Sequence, residues 1–533
     1  MNVQLHRLFR FFTPAVVAVS LMGLMLGCQP SATDDAELQV NTALGKYLDS
    51  VTIPELQAKM DAGDLSSVQI TQFFLANIAK KNAELNAIIQ VNPEALSIAS
   101  VLDQERSEGR LRGPLHGIPI VIKDNIETAD MATTAGSLAL IDNETRRDAP
   151  VVAKLRAAGA IILGKANLSE WANIRSERSS SGWSAIGGQA RNPHDLNRSP
   201  CGSSAGSGVA VAANLAVAAI GTETNGSIVC PSSANGIVGI KPTVGLVSRR
   251  HIVPISHTQD TAGPMAKSVL DAAIILSVIQ GEDVADPATT ALAYDFQQNF
   301  KPDTSVQLTG KRIGVVLSGA ADHEAVLAVF NAAKARIAQA GAVVIDDLKL
   351  TPYDGFYGDA YDVLLYELKA DLNAYFSTLP SDLNQLTLAK VIQFNRDNAE
   401  REMPYFQQEI FHKSQAKGDL SDVGYVEALA NIRRATRDNG IDKLMSEHAL
   451  DAIISVTLGP AWSIDQLNGD HFTGSFSSYP AIAGYPHITL PMGKVHHMPV
   501  GLSITGRALD EKALIDIAQA VENALQDDGK SVR

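Results

Sequence analysis

Cysteine is scarce in this chain, with three residues in 533 at positions 28, 201 and 230. That is too few for the disulfide framework of a small stapled domain. Aromatic residues make up only 5%, with three Trp, and no basic run appears anywhere. Against 58 acidic residues stand 44 basic ones, a formal charge of −14 that falls to −16 once Arg7 and Arg10 are set aside with the N-terminal segment. Nucleic-acid binding depends on neutralising phosphates with Lys and Arg, so this balance argues against such a partner. The uncharged apolar run Phe11–Leu26 has sixteen residues, short of the roughly 20 that a spanning helix needs.

What is present is a globular composition, 45% apolar and 19% charged with 40 Gly and 23 Pro, sufficient for a large core. The N-terminus departs from it. A short basic start (His6, Arg7, Arg10), the run Phe11–Leu26, then Gly27 and Cys28 read as a signal peptide. Met25-Leu26-Gly27-Cys28 resembles a bacterial lipobox, in which the cysteine becomes the acylated first residue; an ordinary secretory signal and an uncleaved anchor are the competing readings. Gln29 in place of Asp favours the outer membrane, giving an exported, periplasmic, lipid-anchored protein. The expected organisation is a signal over 1–27, a polar tether over 28–48 and one catalytic domain over 49–530.

At about 150 residues per domain the length allows three or four, yet from about residue 50 helical and strand patterns alternate without a linker or repeat. Helices are expected over Ile53–Ala62 and from Ser66, a plausible N-cap, to Lys81; a strand over Gly117–Ile122 ends at Lys123. Further helices are expected over 209–214, 265–280 and 323–340, with a helix-rich stretch at 359–440 and a last helix at 511–525. Strands are expected over 216–221, 312–317, 452–456, 487–490 and 501–505. Two Gly/Ser-rich stretches, 175–208 and 222–236, lack periodicity, and structureless loops of this length are usually functional. The predicted fold class is α/β, a single large α/β/α sandwich with a mixed, mostly parallel central sheet.

Chemistry concentrates in those loops. Gly202-Ser203-Ser204-Ala205-Gly206 matches G-x-S-x-G with Ser204 as nucleophile. A nucleophile elbow follows a strand, however, and Arg191–Pro200 cannot be a buried one. The absence of a following Gly-Lys-Ser/Thr argues against a phosphate loop. Taken together, Gly202–Ser207, Gly226-Ser227 with Ser227 24 positions after Ser203, and Leu115–Asn125 upstream resemble the amidase signature family. Gly239–Thr243, Gln259–Met265, Ala483–Pro486 and Pro499–Leu502 extend the match over most of the chain, and Gly221–Pro231 is most similar to the peptide amidases.

The resemblance implies a seryl acyl-enzyme amidase with no metal and no cofactor. Ser227 would be the nucleophile, Ser203 the bridging serine joined to Gly202 by a cis peptide, and Lys123 the base. A serine hydroxyl needs a neighbouring base, and lysine serves only when burial lowers its pKa; Lys123 ends an apolar strand where desolvation is available. Backbone N–H groups of Thr224, Asn225, Gly226 and Ser227 would form the oxyanion hole, with Gly202, Ser204 and Thr224 in support. Asn225 stands where many members have glycine, and Asn tolerates left-handed backbone. Val229 replaces an arginine common in relatives, which weakens an acidic or glutamine-like substrate. The expected substrate is a small amide or peptide amide, with no obligate protein partner and membrane contact only through an acylated Cys28. Alternatives are an amidase of simple aliphatic or aryl amides and the amidase component of a glutamine amidotransferase, which export and the acidic charge oppose. Cys201 and Cys230 flank the two serines; export permits their pairing, but free buried thiols are the expectation. Tyr361, Tyr366, Trp462 and Gln466 are candidates for shaping the pocket.

Overall fold

Short β-rich runs bounded by glycine and proline become the strands of one large sheet in the computed structural model, which describes residues 45, 47–48, 51–317 and 319–526. The expected signal, Cys28 and most of the expected tether lie outside the described residues. The described residues from Tyr47 onward form one compact unit. Its strands are β1 (Ile88–Val91), β2 (Pro119–Lys123), β3 (Ile161–Ala166), the small β4 (Trp183–Ser184) and β5 (Gly188–Gln189), β6 (Ala218–Glu223) and β7 (Val238–Lys241). They continue with β8 (Thr261–Ala266), β9 (Arg312–Val316), β10 (Val343–Leu348), β11 (Ala452–Val456), β12 (His487–Val495) and β13 (Met498–Thr505). Eleven of them form a sheet in the order β1-β3-β2-β6-β8-β7-β12-β13-β11-β9-β10, and β4 pairs with β5 apart from it.

The α/β class and the mixed central sheet are as the sequence implies. The balance within the sheet differs from the expectation of mostly parallel pairing. Parallel pairs occupy the two flanks, β2 with β3 and β6 on one side and β9 with β10 and β11 on the other. From β6 through β8, β7, β12 and β13 to β11 every pair is antiparallel. For one of these pairs the reason is local: β12 and β13 are joined by the tight turn at His496-His497, and a two-residue link cannot make the crossover that parallel strands need. β8 was hidden in the sequence because Gly263 and Pro264 depress strand propensity; it runs through the sheet centre with Pro264 opposite Ile220.

The expected helices form with small boundary shifts. Ile53–Asp61 and Ser67–Leu85 both start with capping boxes, Thr52 with Glu55 and Ser66 with Gln69, each satisfying two otherwise orphaned amides. Two differences matter for the site. The helix expected at 209–214 begins at Ala205, so Ser203 and Ser204 stand at its entrance. Within the stretch read as the loop 222–236 lies a further helix, Val229–Asn235, ended by Gly236 at φ 71. Pro231 is tolerated there because first-turn N–H groups have no intrahelical partner. The Glu223 carboxylate, at the end of β6, instead accepts the N–H groups of Ile228 (2.7 Å) and Val229 (3.0 Å). Five residues of separation concealed this cap from a local reading.

The helix Ala205–Ala212 lies tight against the sheet margin. A Cβ placed on Gly206 would lie 2.2 Å from the Ala87 carbonyl oxygen and 2.5 and 2.6 Å from the Asn167 backbone N and O. Backbone atoms cannot yield as a flexible side chain does, so Gly206→Ala is expected to lower stability by about 2 kcal/mol or more and to displace the Ser203 loop. Chemical denaturation together with residual activity checks this; a fully stable, fully active variant would contradict the packing described.

Candidate active site

β2 delivers Lys123 into the protein interior because Pro119–Lys123 is buried on both faces, and the lysine itself is fully buried. Its Nζ has three partners: Ser203 Oγ at 2.7 Å, Thr222 Oγ1 at 2.8 Å and the Thr222 carbonyl at 3.2 Å. No carboxylate is among them. A neutral amine has two N–H donors and one lone pair, which this set satisfies if Thr222 receives both hydrogens and the Ser203 hydroxyl donates to the lone pair. Burial pushes the Lys123 pKa down from 10.5 to about 7, while the more distant Asp260 and Glu223 charges pull it partly back.

Two other fully buried lysines show the contrast. Lys165 on β3 faces Asp124 at 3.2 Å and also binds the Ile126 and Ala132 carbonyls and Thr133 Oγ1; burial lowers its pKa and the adjacent Asp124 opposes the shift. Lys241 on β7 reaches the Pro242 carbonyl and sits at about 8 through burial, offset by Glu223 and Glu511. Among the three, Lys123 alone has a serine hydroxyl as its closest partner.

The two Gly/Ser loops converge on it. The Gly202–Ser203 peptide is cis, the Ser203 carbonyl accepts the Ser169 N–H at 3.0 Å, and the Ser204 N–H donates to the Ser227 carbonyl at 3.2 Å. Ser204 Oγ donates to the Thr222 carbonyl (3.1 Å) and accepts the Thr222 N–H (3.2 Å), so it ties the loops together and no histidine approaches it. This settles the G-x-S-x-G reading against Ser204 as nucleophile. A Cβ on Gly202 would lie 2.2 Å from Ser169 Oγ and would displace that hydroxyl, which accepts the Gly182 N–H at 2.8 Å.

Cys201 and Cys230 are joined in a disulfide with Cα atoms 6.0 Å apart, which corrects the expectation of free thiols. The helix Val229–Asn235, which has no local signal in the sequence, turns Cys230 back toward Cys201. Asn225 is also corrected: the left-handed residue is Gly226 (φ 84), not Asn225. Asn225 is instead held by its side chain, accepting from Ser477 Oγ at 2.6 Å and donating to Ser478 Oγ at 3.3 Å. Among the described residues no group accepts a hydrogen bond from the backbone N–H of Thr224, Asn225, Gly226 or Ser227, and all four residues line the same cavity. Thr224 is fixed by Oγ1 donating to Asp260 (2.6 Å) and by Gln259 donating to its carbonyl (3.3 Å). Asp260 also accepts the Ile255 and Ser256 N–H groups, and burial raises its pKa to about 6. In the sequence Asp260 is one position of the Gln259–Met265 motif; its place as a buried buttress comes only with the fold.

A cavity of about 450 Å³ opens at these residues, lined by Gly202, Thr224 to Ser227, both cysteines, Trp462, Asp470 and Phe472 among others. Trp462 is thus placed as expected, and Leu364 represents the helical stretch 359–440. Tyr361 contributes indirectly by donating to Glu177 at the rim (2.8 Å), whereas Tyr366 donates to Asp422 and does not line the cavity, nor does Gln466. A second cavity of about 320 Å³, with Asn125, Thr222 and Asp260 in its wall, shares Ala172, Thr224 and Ile255 with the first. The one His/carboxylate cluster found among the described residues is His257, Glu367 and Asp371. His257 Nδ1 is 2.9 Å from Asp371, and Glu367 accepts the hydroxyls of Tyr425 (2.7 Å) and Thr258 (2.9 Å). These groups satisfy one another, and the site chemistry draws on none of them.

A buried lysine on a bridging serine, beside a second serine with free backbone donors, defines the class of Ser-Ser-Lys hydrolases acting on the C–N bonds of linear amides. The chain belongs to the amidase family, whose model matches residues 69–515. It is 38% identical to a probable amidase of Arabidopsis thaliana over 97% of each chain. It is 31% identical to one component of the glutamyl-tRNA(Gln) amidotransferase of Bdellovibrio bacteriovorus over 90% of this chain and 98% of that one. The solved structure of the native peptide amidase from Stenotrophomonas maltophilia superposes with a TM-score of 0.85 at 46% identity, covering 90% of this chain and 97% of that chain.

Keeping Lys123 charged inside the fold carries a pH-dependent cost. Its pKa lies below the ordinary 10.5, so the unfolded chain binds the proton more tightly; the cost is full below about pH 7 and fades toward pH 10.5. Lys123→Met is therefore expected to gain stability relative to the parent as pH falls from 10 to 6, by on the order of 4 kcal/mol at most. Thermal denaturation of both proteins across this range measures it, and a difference that does not vary with pH would refute the depressed pKa.

Proposed function

We propose that this amidase hydrolyses the C-terminal carboxamide of peptides through an acyl-enzyme on Ser227, with Ser203 as relay and Lys123 as base. The observation that carries the reading is the 2.7 Å approach of Lys123 Nζ to Ser203 Oγ with no carboxylate on the amine. Ser227 Oγ attacks the amide carbonyl carbon and its proton passes to Ser203 Oγ as the Ser203 proton passes to Lys123. The resulting oxyanion is met by backbone N–H groups of the run Thr224, Asn225, Gly226 and Ser227, the type of donor whose loss costs roughly 3 to 4 kcal/mol in other hydrolases. Collapse breaks the C–N bond, and the relayed proton returns to the departing nitrogen to release ammonia. Water then attacks the seryl ester, surrendering a proton along the same path, and the acid leaves with Ser227 restored.

Three features favour a peptide amide over other amides. The cavity of about 450 Å³ exceeds what acetamide needs and falls in the usual size range of ligand pockets. The peptide amidase of Stenotrophomonas maltophilia is 46% identical to this chain over the matched region. Val229 leaves no arginine after Ser227, and no Lys or Arg lines the cavity, so a glutamine-like or acidic substrate finds no counter-charge. We place the enzyme outside the cytoplasm, anchored through an acylated Cys28; the Cys201–Cys230 disulfide suits an oxidising compartment.

Ser227→Ala and Lys123→Ala are each expected to lower kcat/KM on a dipeptide amide by about 10³-fold or more, and full activity in either would overturn the assignment. The kcat/KM profile should rise from acid with an apparent pKa near 7 as Lys123 loses its proton. Asp260→Asn removes a charge that holds that pKa up, so the acid limb should move to lower pH; a limb that stays in place would separate Asp260 from the lysine. For export, Cys28→Ser should release the protein from the membrane fraction, and unchanged fractionation would dismiss the anchor.

A further inference from the structure

The charged side chains lining the substrate cavity are two carboxylates, Glu177 and Asp470, with no cation among them. They are not equivalent. Glu177 is paired with Lys413 and accepts the Tyr361 hydroxyl, and the Arg178 charge also lies near enough to lower its pKa. Asp470 has no ion-pair partner among the described residues. Its oxygens accept the Ser181 N–H at 3.1 Å and the Trp462 indole N–H at 2.9 Å, neutral donors that suit the ionised form and fix its direction without cancelling its charge. Burial acts the other way and raises its pKa. Beside it stand Trp462 and Phe472, edge to face with centroids 6.0 Å apart, both lining the same cavity. A carboxylate next to aromatic faces is the surrounding that an organic ammonium prefers.

Resting on the peptide-amide reading, we propose that Asp470 is a specificity-determining residue that selects substrates carrying an ammonium group a short distance from the scissile carboxamide. An extended residue spans about 3.5 Å, so the α-ammonium of a dipeptide amide lies about 7 Å from the scissile carbon, within the reach of a pocket this size. A lysine side chain could present the same group. The arrangement also treats substrate and product differently. A carboxamide is neutral, whereas the released acid is an anion in a cavity whose fixed charge is negative, so the product is repelled from the site that its precursor entered.

The test compares kcat/KM for a dipeptide amide bearing a free α-ammonium, its N-acetylated form, and an N-acetylated form carrying lysine next to the amide residue. The ratio of charged to neutral substrate is the readout, because any general loss of activity cancels in it. In the parent enzyme at low salt the ratio should be about tenfold in favour of an ammonium substrate, and which of the two charged substrates shows it identifies the source of the group. Asp470→Asn should bring the ratio to about one through KM, Asp470→Glu should keep it above one, and added salt at about 0.5 M should shrink it in the parent. An unchanged ratio in Asp470→Asn, or a parent that favours the acetylated amide, would overturn the proposal. If no peptide amide is turned over, the peptide-amide reading fails instead, and 6-aminohexanamide against hexanamide reads the same ratio independently.

Discussion

The withdrawal of one ammonium group from water is the constraint around which this molecule is arranged. Lys123 is brought inside by a strand buried on both faces, and burial alone would make it a liability. It becomes useful because its neighbours are a serine hydroxyl and the side chain and carbonyl of Thr222, which satisfy a neutral amine. Asp260 and Glu223 act from further away and keep its pKa near 7 instead of lower. Lys165 is equally buried and its pKa is likewise pushed down by burial, but Asp124 stands beside it and opposes that shift, and its amine holds the carbonyls of a loop.

Around this group the fold closes two loops that are remote from β2 in sequence. Ser204 links them by paired bonds to Thr222, the Cys201–Cys230 disulfide links them again, and Glu223 caps the helix that starts two residues after Ser227. Each tie joins residues 18 to 29 positions apart or lies at a strand end, so the rigidity of the site is a property of the assembled sheet and not of either loop. The Ser477 and Ser478 hydroxyls then reach in from the far end of the chain to pin Asn225, completing the cavity wall.

Much of this was legible in local patterns. The apolar run ending at Lys123 and the N-cap at Ser66 are local signals, and each matches an element of the structure. Elements that failed to show themselves share a cause. β8 contains Gly263 and Pro264, and Val229–Asn235 contains Pro231 and two serines. Both contradict propensity and exist because distant groups support them, β6 and β7 for the strand and Glu223 for the helix. The same applies to the sheet: alternation of strands and helices suggested mostly parallel order, but pairing partners are chosen by three-dimensional packing, and the centre is antiparallel.

The sequence by itself determined the kind of chemistry. Lysine after a buried strand, two serines 24 positions apart in glycine-rich surroundings, and a spaced set of motifs specify an amidase because residue identity and order carry that information directly. Tertiary structure decided which groups meet and in what surroundings. Whether a lysine is a base or a structural cation depends on distances to charges elsewhere in the chain. The same is true of whether two cysteines pair, whether Asn225 needs a left-handed backbone, and which carboxylate in the cavity keeps an unbalanced charge. Electrostatic and covalent outcomes follow from proximity in space, and proximity between residues such as Asp470 and Ser181 is created only when the whole sheet has formed.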